Sequence, residues 1–121
     1  MPETGSYPLR GEVWHVSFDP SVGAEIKKIR PSVVLSENAI GKLPLRIVVP
    51  ITDWKDSFEK YPWFVKIDLN PTNGLTKASG ADAFQVKSLS TNRFVKKLGS
   101  LTDSQLDNIA SAIALCVGTP V

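Results

Sequence analysis

The chain has 121 residues, room for one domain around one hydrophobic core. Its formal net charge of +2 is too small to imply a nucleic-acid partner by itself, though compatible with one. A single cysteine, Cys116, excludes an internal disulfide, a single histidine, His15, removes the usual zinc spacings, and nothing approaches the roughly 18 apolar residues of a membrane span.

Residues 1–8 are polar and lack the apolar core of a signal peptide; they are expected to form a flexible tail before a single domain over 9–121. Glu12 to Phe18 alternates, with Trp14, Val16 and Phe18 on one face and Val13, His15 and Ser17 on the other, as in a half-buried strand. Asp19-Pro20 ends it. A charged loop follows, and a second strand is expected over Ser32–Leu35. Gly41 and Pro44 mark a turn before the apolar third strand, Leu45–Thr52. Pro50 has no N–H to donate, so it is expected at an edge, a bulge or the strand end. Asp53–Tyr61 is a polar loop, Trp63–Leu69 a fourth strand, and Asn70–Gly74 a turn. Ala81–Leu89 reads as one weakly hydrophobic fifth strand. Ser90-Thr91-Asn92 can cap a short helical turn before a last strand over Phe94–Leu101.

Thr102-Asp103-Ser104-Gln105 fits a capping box, with Leu101 and Leu106 at the staple positions. The helix that follows places Leu106, Ile109, Ala110, Ile113 and Val117 on one face. Gly118 can close it and Pro120 stops it. Cys116, in this apolar run, is expected to be buried. Several short strands and one terminal helix predict a small, curved antiparallel sheet or partly open barrel with the helix over one face or end.

No glycine-rich phosphate loop, no G-x-S-x-G and no metal-ligand set occurs, so no metal and no cofactor is expected. Any catalysis must draw on Glu, Asp, Arg, Lys, Ser or Thr, because no partner stands beside His15, which is read as structural or solvent-facing. The informative stretch is Gly23 to Pro31. Pro31 limits Arg30 to extended conformations, at the hinge between loop and strand. Glu25 stands five residues upstream, with Lys27 and Lys28 between. An acid and two lysines near a fixed arginine suit a phosphate group, yet composition alone favours a solvated charged loop.

The segments Arg10-Gly11-Glu12-Val13-Trp14, Phe18-Asp19-Pro20, Gly23-x-Glu25 and Arg30-Pro31-x-Val33-Val34-Leu35-Ser36 resemble the opening of the MazF/PemK (Kid-like) toxin family. Val48–Thr52 resembles that family's next strand, Gln85–Leu89 a later block, and Leu98–Leu101 the lead into its final helix. The match runs from about Arg10 to the C-terminus; its order and spacing are specific, whereas each motif alone is weak. The resemblance implies a mainly β fold, a small SH3-like antiparallel β-barrel with a C-terminal α-helix. It implies the toxin of a type II toxin–antitoxin pair in the bacterial cytoplasm, a homodimer whose partners are single-stranded mRNA and an acidic MazE-like antitoxin. Family members cut RNA at short sequences without a metal, leaving 2′,3′-cyclic phosphate and 5′-hydroxyl ends.

The family's catalytic positions fall on Glu25, Arg30 and Thr52. The chemistry fits these residue types: Glu25 takes the 2′ proton, and Arg30 and Thr52 stabilise charge on the phosphoryl oxygens. The arginine pKa, above ~12, makes Arg30 an electrostatic clamp rather than a proton donor. RNA contacts are expected from Lys27, Lys28, Trp54, Lys55, Phe84, Gln85 and Lys87, with Trp54 and Lys55 suited to an unpaired base and its phosphate. Many members carry an acid where this chain has Phe84. Either Asp82 substitutes, or Phe84 changes sequence choice by stacking a base, or Phe84 belongs to the core. Two other readings stand beside the ribonuclease: an inhibitor acting by protein contact alone, as related gyrase poisons of this fold do, and an inactive antitoxin-binding relative.

Overall fold

The computed structural model describes residues 7–40 and 42–119; the expectations for Met1–Ser6, Gly41 and Pro120 lie outside these. Seven strands form one antiparallel sheet: β1 Glu12–Ser17, β2 Ile29–Val34, β3 Leu45–Asp53, β4 Phe64–Ile67, β5 Ser79–Asp82, β6 Lys87–Ser90 and β7 Phe94–Ser100. One α-helix among the described residues, α1 Asp103–Cys116, follows. The sheet runs β4-β5-β3-β2-β1-β7, with β6 also paired to β3. β4 and β7 are its two ends, so the small SH3-like barrel is an open one.

Alternation along the strands builds two apolar clusters, one on each side of the sheet. Val13, Val33, Val49 and Ile51 turn to one side and meet Ile67, Ala81 and the Leu106 and Ile109 face of α1. Trp14, Val16, Phe18, Val34, Val48 and Phe94 turn to the other. The central strands are therefore covered on both faces, which is why they read as nearly continuous apolar runs. Register shifts in the β1–β7 ladder, between Val13 and Trp14 and between His15 and Val16, help the sheet to curl.

The capping box forms as predicted: Gln105 N–H donates to Thr102 Oγ1 at 3.2 Å and Thr102 N–H to Gln105 Oε1 at 2.9 Å. Leu101 and Leu106 are both buried at the staple positions. The helix face differs from the one expected. Ala112 is buried, whereas Ala110 is exposed and Val117, beyond the last helical turn, is 72% exposed. The principal neighbours of the helix are the short 3-10 turn Ala83–Gln85 and β4. Cys116 is only half-buried, not buried.

Three further expectations are corrected. β2 begins at Ile29, so Arg30 and Pro31 belong to the strand, with Arg30 opposite Val16. The expected fifth strand breaks in two, because the Asp82 carboxylate accepts from Phe84 N–H at 3.2 Å and caps the 3-10 turn between β5 and β6. Pro50 lies in mid-strand. Ile47 C=O accepts from Leu35 N–H, so odd residues of β3 turn their backbone groups to β2 and even residues turn theirs away. On that far side β6 pairs as far as Val48 and β5 begins at Ile51, leaving Pro50 in a gap where no donor is needed.

Arg46 is buried and ties the start of the described chain to β3. Its guanidinium donates to the carbonyls of Pro8, Leu43 and Leu45 at 2.7–2.8 Å. The Tyr7 ring lies under it, 5.8 Å from centroid to Cζ.

Candidate functional site

The site forms where β2 and β3 part. Their ladder ends at Ser32 opposite Pro50, so Arg30 and Thr52 lie beyond it and border an opening. β3 continues there by pairing with β5, placing Thr52 opposite Gly80 and Gly80 opposite Lys66 of β4. Phe64 stands opposite Asp82 one step along. Cross-strand partners share a face, so Thr52, Lys66, Phe64 and Asp82 belong to one surface. Trp54, two residues past Thr52, folds back over Gly80. A Cβ at that glycine would stand 3.1 Å from the indole Cε3, a tight contact that the ring would have to ease by a few tenths of an ångström.

A cleft of about 420 Å³ lies on this surface, within the ~300–1,000 Å³ usual for ligand sites. Its lining includes Arg30, Thr52, Asp53, Lys55, Phe58, Phe64, Asp82 and Gln85. Phe58 and Phe64 stack at 3.9 Å, nearly parallel, and Trp54 meets Phe58 edge-on at 5.6 Å. A second cleft of about 230 Å³ shares Arg30, Thr52 and Asp53 and is completed by His15, Leu75 and Leu98, so His15 lines a cleft mouth although nothing in the sequence placed it there.

Polar satisfaction is uneven across the site. Thr52 Oγ1 and Trp54 Nε1 are buried and, among the described residues, have no hydrogen-bond partner. Arg30 Nε donates to Lys27 C=O at 3.2 Å, which aims the guanidinium and leaves its terminal nitrogens for an anion. Burial raises the Asp82 carboxyl above its ordinary range, even though the Phe84 and Gln85 N–H groups oppose this. Among the described residues no three of His, Cys, Asp and Glu come together as metal ligands would.

The charged loop is held from below. Gln85 Nε2 donates to Ala24 C=O at 3.0 Å and its Oε1 accepts from Ile26 N–H at 3.1 Å, so this amide clamps the loop rather than standing free at the rim. Lys28 adopts φ 67°, a left-handed conformation, with its N–H donating to Asp19 Oδ1 at 3.1 Å. Glu25, between the two clamped residues, points away from the cleft. Its Oε1 accepts from Val22 N–H at 2.7 Å and its Oε2 lies 3.7 Å from Lys87 Nζ.

The structure thus brings together Arg30, Thr52, Lys55 and Gln85, and leaves other predicted site residues around them. Glu25 and Lys87 are engaged with each other at the loop, and Lys27 and Lys28 are exposed outside the cleft wall. Trp54 supports the floor through Gly80 and Phe58. Phe84 is 64% exposed, which overturns its reading as core; it meets Trp63 edge-on at 5.8 Å, and Trp63 stacks on Tyr61 at 4.9 Å. Phe58 and Phe64 were missed as site residues. The only sequence signal for Phe64 is its parity in β4, and its register against Asp82 depends on a non-local pairing.

The profile of a family described as PemK-like, MazF-like toxin of type II toxin-antitoxin system matches residues 9–117. Endoribonuclease MazF9 of Mycobacterium tuberculosis is 31% identical over 112 residues, covering 88% of this chain and 92% of its own. Endoribonuclease MazF of Staphylococcus saprophyticus is 28% identical, covering 90% of each. Among solved structures, MazF from Deinococcus radiodurans superposes with a TM-score of 0.78 at 23% identity over 93% of this chain and 98% of that one. A mycobacterial endoribonuclease in complex with its cognate antitoxin gives 0.71 at 23% identity over 94% and 98%.

Proposed function

The chain belongs to the PemK-like, MazF-like toxin family, and from that premise we propose that it is the toxin of a type II toxin–antitoxin system, an endoribonuclease that cuts single-stranded RNA. The observation that carries the reading is that Arg30 and Thr52 line one cleft, with the Thr52 hydroxyl lacking a hydrogen-bond partner among the described residues. That hydroxyl is buried in the free protein, where an unpaired polar atom costs stability; a small local opening uncovers it, and an incoming phosphoryl oxygen then removes the cost.

In this reading a phosphodiester sits between Arg30 and Thr52. The ribose 2′-oxygen attacks its own phosphorus, the bond to the 5′-oxygen breaks, that oxygen takes a proton from water, and the products carry a 2′,3′-cyclic phosphate and a 5′-hydroxyl. Arg30 and Thr52 hold the charge that builds on the phosphoryl oxygens. Glu25 takes the 2′ proton, which requires its carboxylate to leave Val22 N–H and Lys87 and turn into the cleft. Gln85 anchors the loop during this movement, Lys55 meets a neighbouring phosphate, and the exposed rings of Tyr61 and Phe84 offer bases a stacking surface. No metal takes part.

The partners are single-stranded mRNA and an acidic antitoxin, the active form is a homodimer, and residues 9–121 form the catalytic unit. No helix of the described residues is long and apolar enough to cross a membrane, and the cytoplasm, where mRNA lies, is the proposed place of action. A gyrase-type inhibitor or an inactive relative is not favoured, since the curated relatives are endoribonucleases. Purified protein incubated with RNA in EDTA, with both new ends mapped, tests the proposal. Cyclic-phosphate and 5′-hydroxyl ends at a recurring short sequence are expected; intact RNA, or cleavage only after magnesium is restored, refutes it.

A further inference from the structure

Asp82 lines a cleft that also holds Arg30 and Lys55, together with a second acid, Asp53, whose carboxylate is paired with Lys77 at 3.3 Å. Asp82 shares the cleft wall with Arg30, Lys55 and Phe64, faces Phe64 directly across the β4–β5 ladder, and makes no salt bridge among the described residues. Oδ1 accepts from Phe84 N–H at 3.2 Å and the Gln85 N–H also engages the carboxylate, yet a carboxylate has about four lone-pair sites, so acceptor capacity remains. A bare carboxylate repels the phosphates of an RNA strand. What it can attract from that strand is a base edge rich in N–H donors, lying against the Phe58–Phe64 rings.

Resting on the ribonuclease reading, we propose that Asp82 is a specificity residue that accepts a hydrogen bond from the exocyclic amine of one base beside the cut and thereby rejects uracil. Adenine, cytosine and guanine each present an amino group. Uracil presents a single N–H flanked by two carbonyl oxygens, both of which meet the carboxylate unfavourably. The raised pKa of this group agrees with a partly dry position in which such a contact discriminates strongly. The role of Asp82 as the cap of the 3-10 turn does not account for its lack of a cation partner, and asparagine would serve that role equally well.

Asp82→Asn keeps the cap and turns the carboxylate into an amide that can donate to a uracil carbonyl. Cleavage of a random-sequence RNA pool, with ends mapped, is compared for wild type and variant. The wild type is expected to deplete uracil at least ~5-fold at one position flanking the cut, the effect of about one good base contact, and the variant to lose that depletion. Unchanged preferences at every flanking position overturn the assignment. If the variant binds RNA without cutting, fully 2′-O-methylated oligomers of A, C and U, read by tryptophan fluorescence, decide the matter. The wild type should favour A and C over U, and the variant should not; equal ratios in both proteins overturn the proposal. A wild type that discriminates these oligomers but cuts no RNA would refute the nuclease reading alone.

Discussion

Replacing Thr52 by valine should stabilise the free protein and impair the enzyme. Both side chains are β-branched and suit the same strand position, so the change exchanges little more than a hydroxyl for a methyl. That hydroxyl is buried and has no hydrogen-bond partner among the described residues. Leaving a hydroxyl buried and unpaired costs ~1–3 kcal/mol on protein mutational scales. Thr52 as a whole is only half-buried, so the lower end applies and a gain of about 1 kcal/mol is expected. In a domain of this size that raises Tm by roughly 4 °C. Cleavage should move the other way. If the hydroxyl meets the phosphoryl oxygen as charge builds, its loss should slow kcat by about 100-fold, as when one preorganised donor is removed. Thermal unfolding of the RNA-free protein and single-turnover cleavage measure the two effects. A lower Tm would show that the hydroxyl is satisfied in the free protein, and normal cleavage would show that it does not face the reaction; either result refutes the reasoning.

Arg30→Ala should cost at least ~100-fold in cleavage with the fold intact, and Arg30→Lys should also be poor because one ammonium cannot reproduce the planar fork; near-normal rates in the folded alanine variant would remove Arg30 from the site. Glu12 supports the sheet far from the chemistry: burial alone would raise its pKa, but Leu9 N–H, Lys97 Nζ and Trp14 Nε1–H together hold it below 4.5. Because the folded value lies below the unfolded one, its contribution is complete above pH 4.5 and is lost as pH falls through the folded value. Glu12→Gln should therefore lose about 1 kcal/mol at neutral pH and flatten the acid limb of the stability curve, and denaturant titrations at pH 7 and pH 3.5 should show a smaller difference than in wild type. The antitoxin should compete with uncleavable RNA, since a disordered acidic chain suits the loops around Lys27, Lys28 and Lys55, and its affinity should fall with salt less steeply than that of RNA because apolar anchors are not screened. Simultaneous binding without mutual weakening at two ionic strengths would rule out occlusion of the cleft.

Local patterns in the sequence were enough for those parts of the molecule whose physics is local. The alternation from Glu12 to Phe18, the apolar run from Leu45 to Thr52 and the Thr102–Gln105 capping box each depend on neighbours a few residues away, and each forms essentially as read. The order of segments from Arg10 onward likewise pointed to the family and to Arg30 and Thr52, which the fold places on one cleft wall. Tertiary structure decided what depends on long-range register and packing. Whether Pro50 breaks the ladder depends on where β6 hands over to β5, and whether Phe84 is core depends on where Asp82 ends β5. Which face of α1 is covered was decided by its packing against distant segments, the Ala83–Gln85 turn and β4 among them, and Ala112 is buried where Ala110 was expected. The family resemblance leads one to expect Glu25 at the reaction, yet where it lies in the fold follows from Gln85, some 60 residues away, clamping the loop on both sides of it. A side chain's type and spacing fix what chemistry it can do; the distant segments packed against it fix which way it points.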